Sequence, residues 1–268
     1  MTTVLLTAGV FATLVLGDVL FETLFPKINQ ARLRTTRLKA GQELKILHVS
    51  DLHNMRLHDR FLERVKATKP DLIAITGDLV NGQEASFDRV YRMIEKLREA
   101  CRNLYFVSGN NDWEHRRYRE MADELRKRGV TVLGNEHAVL TIRDMTLNIV
   151  GVDDPHTNRD RLSLAFAGMT NERQFTLLLA HDPMIIRNEQ AFQADLILSG
   201  HTHGGQIRFP VVGALVAPGQ GYFPKYDKGM FHLQRGTALY IDSGLGTSRI
   251  PIRFLNRSQV SVLTVKGE

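Results

Sequence analysis

The chain has a single cysteine, Cys101, among 268 residues. That excludes an internal disulfide framework and any cysteine-based zinc module. Aromatic residues make up only 7% of the chain, with one tryptophan. The helical stretch Glu114–Arg128 carries Arg116, Arg117, Arg119, Arg126, Lys127 and Arg128, yet only Trp113 and Tyr118 interleave with them. Base-stacking platforms need more aromatics than that, which argues against nucleic acid as a partner. The basic stretch reads instead as a solvated helix or a surface that meets phosphate head groups. No internal repeat or low-complexity tract is present. Acidic residues are in modest deficit, 29 against 35 basic ones, for a net charge of +6. This balance suits a phosphate-rich or anionic-membrane partner without establishing one. Hydrophobic content of 43% and the length allow a substantial core. Ten histidines are a supply of ligands.

There is one long hydrophobic run. Residues 3–25 are apolar except for Asp18 and Glu22, about the length that crosses a bilayer as a helix. No basic n-region and no small-x-small cleavage site accompany it, which disfavours a cleaved signal peptide. Asp18 and Glu22, spaced i, i+4, share one helix face and weaken the spanning reading in favour of an amphipathic helix in the interface. Either way, residues 1–26 are expected to anchor the protein to a membrane. Residues 27–43, with Lys27, Arg32, Arg34, Arg37 and Lys39 and only one acid near their end, are expected to be a basic linker. Positive charge on that side predicts a membrane-associated protein with a cytoplasmic catalytic body.

From residue 44 to 268 a single domain is expected. Apolar runs recur at Lys45–Val49, Leu72–Ile75, Leu104–Val107, Leu147–Val150, Thr176–Leu179, Leu196–Leu198 and Ala238–Ile241. Near-continuous apolar strands belong to sheets covered on both faces. Helical patterns at Phe61–Thr68, Phe87–Ala100 and Glu114–Arg128 alternate with the early ones, giving an α/β class. The tail, residues 259–265, alternates as a half-buried strand.

Each run ends in the same kind of residue. Asp51 and His53 follow the first, Asp78 the second, and Asn110, Asn111 and Asp112 the third. His181 and Asp182 follow the run at 176–179, and His201 and His203 that at 196–198. Side chains at successive strand ends converge on one sheet edge, where α/β sites sit. Imidazole, carboxylate and amide oxygen suit manganese, iron or zinc, with no thiolate to favour copper. A carboxylate can bridge two ions and hold a hydroxide for in-line attack on phosphorus, and Asp78 sits centrally in the series. A strand continued through 201–203 would put both histidines on one face.

The order D-x-H, G-D, G-N-x-D, H, G-H-x-H over most of residues 44–265 resembles the calcineurin-like metallophosphoesterase family. The resemblance implies a four-layer sandwich of two mixed β-sheets flanked by α-helices, with a dinuclear site at the strand C-terminal edge. It implies that Asp51, His53, Asp78 and His203 bind one divalent ion, and that Asp78, Asn110, His181 and His201 bind the other, manganese being the first expectation and iron or zinc the next. The segment 200–207 (GHTHGGQI), with 244–248 and 251–253, is similar to a narrower branch containing small bacterial phosphodiesterases and membrane-bound UDP-diacylglucosamine pyrophosphatases.

One departure bears on substrate. The family usually has histidine after the metal-binding asparagine, contacting phosphate and protonating the leaving group; here stands Asn111, which can donate a hydrogen bond to a phosphoryl oxygen and so stabilise the transition state, but can deliver no proton near neutral pH. A phosphodiester or pyrophosphate substrate, possibly a lipid such as UDP-diacylglucosamine, is therefore expected over a monoester. Soluble phosphatase or cyclic-nucleotide phosphodiesterase activity and a non-catalytic metal-bound scaffold are the alternatives. His115 is either a stand-in acid or a helix-surface residue. Asn111 and Asp112 are the candidate catalytic residues, Asp112 by orienting the Asn110–Asn111 turn, and Asn111, Arg249 and Arg253 are candidate phosphate contacts. The loop Gly219–Phe231, with Tyr222, Phe223, Tyr226, Met230 and Phe231 among Lys225 and Lys228, caps the site, touches acyl chains or simply packs. His48, His58, His137, His156 and His232 read as structural.

Overall fold

The computed structural model describes residues 2–169, 171, 173–191, 193–248 and 250–268. Helix α1 (Thr2–Leu24) comes first, then β1 (Lys27–Thr35), β2 (Glu43–Val49), α2 (Asp59–Lys66), β3 (Leu72–Thr76), α3 (Asp88–Ala100), β4 (Leu104–Val107), α4 (Asn110–Glu114), α5 (Tyr118–Lys127) and β5 (Val130–Val132). The chain continues through β6 (Glu136–Ile142), β7 (Met145–Gly151), α6 (Leu162–Ala165), β8 (Phe175–Leu179) and β9 (Leu196–Ser199). Two small hairpins follow, β10 (Arg208–Phe209) with β11 (Gly213–Ala214) and β12 (Val216–Ala217) with β13 (Gly221–Tyr222). The last strands are β14 (Gly229–His232), β15 (Ala238–Ile241) and β16 (Gln259–Gly267).

Two six-stranded mixed sheets result, in the orders β1-β16-β2-β3-β4-β5 and β14-β15-β9-β8-β7-β6. Strand alternation sorts each apolar run between two cores. Ile46, Leu72 and Ala74 meet Leu147, Leu177, Leu179 and Leu198 between the sheets. Their neighbours Leu47, Val49, Ile73 and Ile75 face α2, α3 and α5. Helix α3 presents Val90, Met93, Ile94 and Leu97, an i, i+3, i+4, i+7 stripe, to that outer core. On the far side Val150, Leu178 and Ile197 pack against α6 and the 3-10 segment Pro183–Ala191. This is the expected α/β four-layer sandwich, with a thinner helical layer on the second sheet.

The basic stretch expected as a linker differs. Residues 27–35 form β1, which runs parallel to β16 in unbroken register from Lys27↔Gln259 to Thr35↔Gly267. Leu33 turns into the core while Arg32 and Arg34 stay exposed. β1 is an edge strand, where outward charge discourages pairing with another chain. The same charges that made the segment look like a linker occupy the solvent face of a strand.

His48 lies in the middle of β2, fully buried, with Nε2 2.7 Å from Thr76 Oγ1. Burial pushes its pKa down to about 3. A depressed histidine contributes stability that is whole above the unfolded value near 6.5 and is lost as pH falls toward the folded value. Chemical denaturation is therefore expected to show stability falling between pH 6.5 and 4 by a few kcal/mol, and His48→Gln should flatten that slope; an unchanged slope would show that His48 does not cause it.

Candidate active site

Every strand-end residue singled out in the sequence stands at one edge of the sandwich. β2, β3 and β4 are parallel neighbours in the first sheet, and β8 and β9 in the second, so their C-terminal ends open together. The chain turns abruptly there. Asp51, His53, Asp78, His201 and His203 all have left-handed backbone, with φ of 50°, 44°, 51°, 66° and 50°. Each such non-glycine position costs on the order of 1 kcal/mol and persists only where the surroundings over-determine it. Here Asp51 N donates to Gly77 O at 3.0 Å and His53 N to Asp78 O at 3.0 Å. Glycine is required at position 200, where a Cβ would overlap Ser50 Oγ and the Asp51 carboxylate.

The side chains form two groups, each with its candidate ligand atoms within 4.8 Å of one another: Asp51, His53 and His203 in one, Asp78, His181 and His201 in the other. All six are buried. His53 Nε2 lies 3.1 Å from His203 Nε2, and His201 Nδ1 lies 3.2 Å from His181 Nε2. Asp78 Oδ2 stands between the groups, 3.6 Å from His53 Nε2 and 3.3 Å from His181 Nε2. β9 ends at Ser199, so His201 and His203 do not continue a strand and share a face; the turn between them sends one to each group.

These residues fit a pair of divalent cations. His181 Nδ1 lies 2.7 Å from Thr76 O, an obligate acceptor, so Nδ1 carries the proton and Nε2 presents its lone pair to the centre. His53 Nδ1 is likewise 2.8 Å from Asn81 Oδ1. Asn110 Oδ1 is buried without a hydrogen-bond partner. A buried acceptor and facing lone pairs in a nitrogen–oxygen donor set are what a cation would satisfy.

Asn111 clamps the shared carboxylate, its backbone N donating to Asp78 Oδ1 at 2.9 Å and its Nδ2 to Asp78 Oδ2 at 2.7 Å. Asp112 is fully buried and accepts from Leu79 N at 2.9 Å, Val80 N at 3.3 Å and Gly109 N at 3.0 Å, tying the loop after β3 to the loop after β4. It is thus a positioning residue, removed from the reacting atoms. Asp112→Ala would strand three backbone donors, and a loss of about 2–4 kcal/mol in unfolding free energy is expected, with both loops loosened; retention of wild-type stability in denaturant titrations would contradict this.

Other expectations change. Arg253, a candidate phosphate contact, is fully buried, and its guanidinium donates to the carbonyls of Ser243, Gly244, Gly246, His203 and Asn256. Its donors are consumed by backbone, so it braces the loops under the site. Arg249 lies outside the described residues. His115 is neither a stand-in acid nor a helix-surface residue: it is buried, with Nε2 2.8 Å from Glu84 O and Nδ1 accepting from Arg117 N at 3.1 Å. His156, read as structural, is exposed beside the site, its ring 5.4 Å from His201, and forms a third candidate group with Asp182 and His201. It follows β7, so the strand-end rule that found the other residues applied to it as well.

The same family emerges from comparison with known proteins. A sequence model of calcineurin-like phosphoesterases matches residues 44–205. An uncharacterized Bacillus subtilis protein, YpbG, is 32% identical over 235 residues, covering 87% of this chain and 85% of that protein. An uncharacterized metallophosphoesterase of Bacillus subtilis, YkoQ, is 32% identical, covering 84% of each. One from Aquifex aeolicus is 32% identical over 262 residues, 92% of this chain and 94% of that one. With two buried ligand groups at the strand edge and relatives matched nearly end to end, the chain belongs to the calcineurin-like phosphoesterase family and is a metal-dependent phosphoesterase.

Proposed function

We propose that this phosphoesterase hydrolyses a phosphodiester or pyrophosphate bond in a lipid substrate, from a membrane-anchored position with its catalytic body in the cytoplasm. Asp51, His53, Asp78 and His203 would hold one divalent ion, and Asp78, Asn110, His181 and His201 the other. Manganese is the first candidate, iron or zinc the next. Bound ions supply Lewis acidity and lower the pKa of water for attack on phosphorus.

The observation that carries the substrate class is Asn111. It sits where the family usually has an acid, and its backbone N–H and one Nδ2–H are given to Asp78. It can hold the shared carboxylate in place, but it cannot protonate a departing alkoxide. A leaving group that is already a stable anion, such as the UMP half of a UDP-sugar lipid, does not need that proton. The membrane reading is supported by α1, whose apolar window in Leu6–Leu24 has a mean hydropathy of 1.5 with none of it buried in the fold, and by the exposed Arg32, Arg34, Arg37 and Lys39 after it.

The test is one comparison of turnover under manganese on a lipid pyrophosphate, a simple diester and an alkyl phosphomonoester. The lipid pyrophosphate is expected to lead and the monoester to trail by at least tenfold. A monoester turned over faster than both would overturn the proposal.

A further inference from the structure

The apolar surface outside α1 is concentrated beside the helix end and the metal loops. Beyond α1 and the adjoining Phe25, eleven large hydrophobic residues are exposed among the described residues, and nine of them lie in 209–223 or 250–255. Val211 at the tip of the β10–β11 hairpin is 107% exposed, Tyr222 81% and Phe223 68%. Contiguous exposure of this kind is rare on a water-soluble surface and marks a contact site.

The β10–β11 hairpin and the 250–255 segment are joined to the end of α1, and Tyr222 and Phe223 pair back onto residues 215–216, just after that hairpin. The Phe209 ring meets Phe254 edge-on at 6.3 Å, and Arg208 N donates to Phe254 O at 3.0 Å. From the same segment Arg253 N donates to Thr23 Oγ1 at 2.9 Å, and Ser258 N donates to Glu22 O at 2.9 Å. Arg257 lies over the Phe21 ring at 4.2 Å and donates to Phe25 O at 2.6 Å. Glu22, whose charge weakened the spanning reading, accepts from Asn256 N and is satisfied by the body of the protein. The end of the helix is thus fastened to the 253–258 segment.

We propose that the β10–β11 hairpin, Tyr222–Phe223 and the 250–255 segment form a second membrane contact, dipping into the acyl boundary of the bilayer that α1 enters. The proposal rests on the reading of α1 as an anchor. Lipid is the occupant because the patch is continuous with a helix that carries the composition of a bilayer span. Exposed Lys225, 5.0 Å over the Tyr226 ring, follows Tyr222 and Phe223 closely in sequence, the mix of aromatic and basic residues of an interfacial belt. Tyr226 and Phe231 of the same loop face inward onto the second-sheet core, so only its outer half is offered to lipid. The consequence concerns the site. Asn256, next to this surface, donates to His203 O at 2.7 Å, and Gly219 lies beside Asp182 and His201. The mouth of the metal-ligand clusters is therefore set at the membrane surface, where a lipid phosphoester resides.

The full chain is reconstituted in phosphatidylethanolamine–phosphatidylglycerol vesicles with Cys101→Ser and one nitroxide-labelled cysteine, introduced by Val211→Cys, Tyr222→Cys or, as the aqueous control, Val139→Cys. Relaxation by oxygen, which partitions into lipid, is compared with relaxation by a water-soluble nickel chelate. Labels at 211 and 222 are expected to favour oxygen over nickel several-fold more than the label at 139. If both match 139 while the protein still floats with the vesicles, the second contact is wrong and the anchor stands. If the protein does not float, the anchor reading fails, and this proposal with it.

Discussion

Asp78→Asn is expected to lower turnover on any phosphoester by about 10³-fold or more and to reduce bound metal from two ions to at most one. The carboxylate reaches both clusters, with one oxygen 3.6 Å from His53 Nε2 and 3.3 Å from His181 Nε2. An amide oxygen is neutral and is a far weaker ligand to share between two cations. The swap is isosteric, but the Asn111 Nδ2 donor, 2.7 Å from Asp78 Oδ2, would then face an amide of either orientation. Single-ligand changes should act on one side only. His203→Ala should loosen the ion beside Asp51 and His53, and His201→Ala the ion beside Asn110 and His181. Elemental analysis of each purified variant, with thermal melting to establish folding, checks the set. Two ions retained by folded Asp78→Asn would sink the bridging role.

The second large effect is a gain. Asn111→His is expected to raise turnover of alkyl phosphomonoesters by about 10–10² fold, toward the range that a positioned general acid contributes, while changing turnover on a pyrophosphate with a stable leaving group far less. The reason lies in where the proton is needed: an alkoxide must be protonated as it leaves, whereas a phosphate anion need not be. The backbone donor from residue 111 to Asp78 Oδ1, 2.9 Å, survives the substitution, so the shared carboxylate keeps one of its two restraints. A pH profile separates this from a structural effect, because an acid in the leaving-group step adds an alkaline limb to the monoester profile alone. Equal changes on both substrates would mean that Asn111 acts only by holding Asp78.

Much of this was legible in the chain because the site chemistry is local to strand ends. A parallel strand covered on both faces must be an apolar run, and the residue just past its end must lie at the C-terminal edge of the sheet. Asp51, Asp78, Asn110, His181 and His201 could therefore be placed without knowing which strands are neighbours. His156 escaped although it follows β7, since a histidine five residues past a strand carries no short motif. β1 escaped because Arg32 and Arg34 dominate its composition, and only pairing with β16 makes their alternation with Leu33 meaningful. Arg253 and His115 were misjudged for another reason. A guanidinium and an imidazole bind phosphate or backbone carbonyls with the same donors, and which they meet depends on chain segments far away in sequence.

By itself, then, the sequence determined the α/β class, the edge of the sandwich that bears the chemistry and the nitrogen–oxygen donor set, because each follows from periodicity and from residue type at a fixed offset. The partition of those ligands was already implied by the family resemblance, but only the tertiary structure showed its physical cause. Adjacent histidines in one short loop go to different clusters because the left-handed turns at His201 and His203 aim them apart. Asp78 becomes the shared group because β3 lies beside β2 in one sheet and its end faces β8 across the sandwich. His53 meets His203 across 150 positions of sequence and His181 meets the Thr76 carbonyl across 105, and no local pattern fixes such contacts.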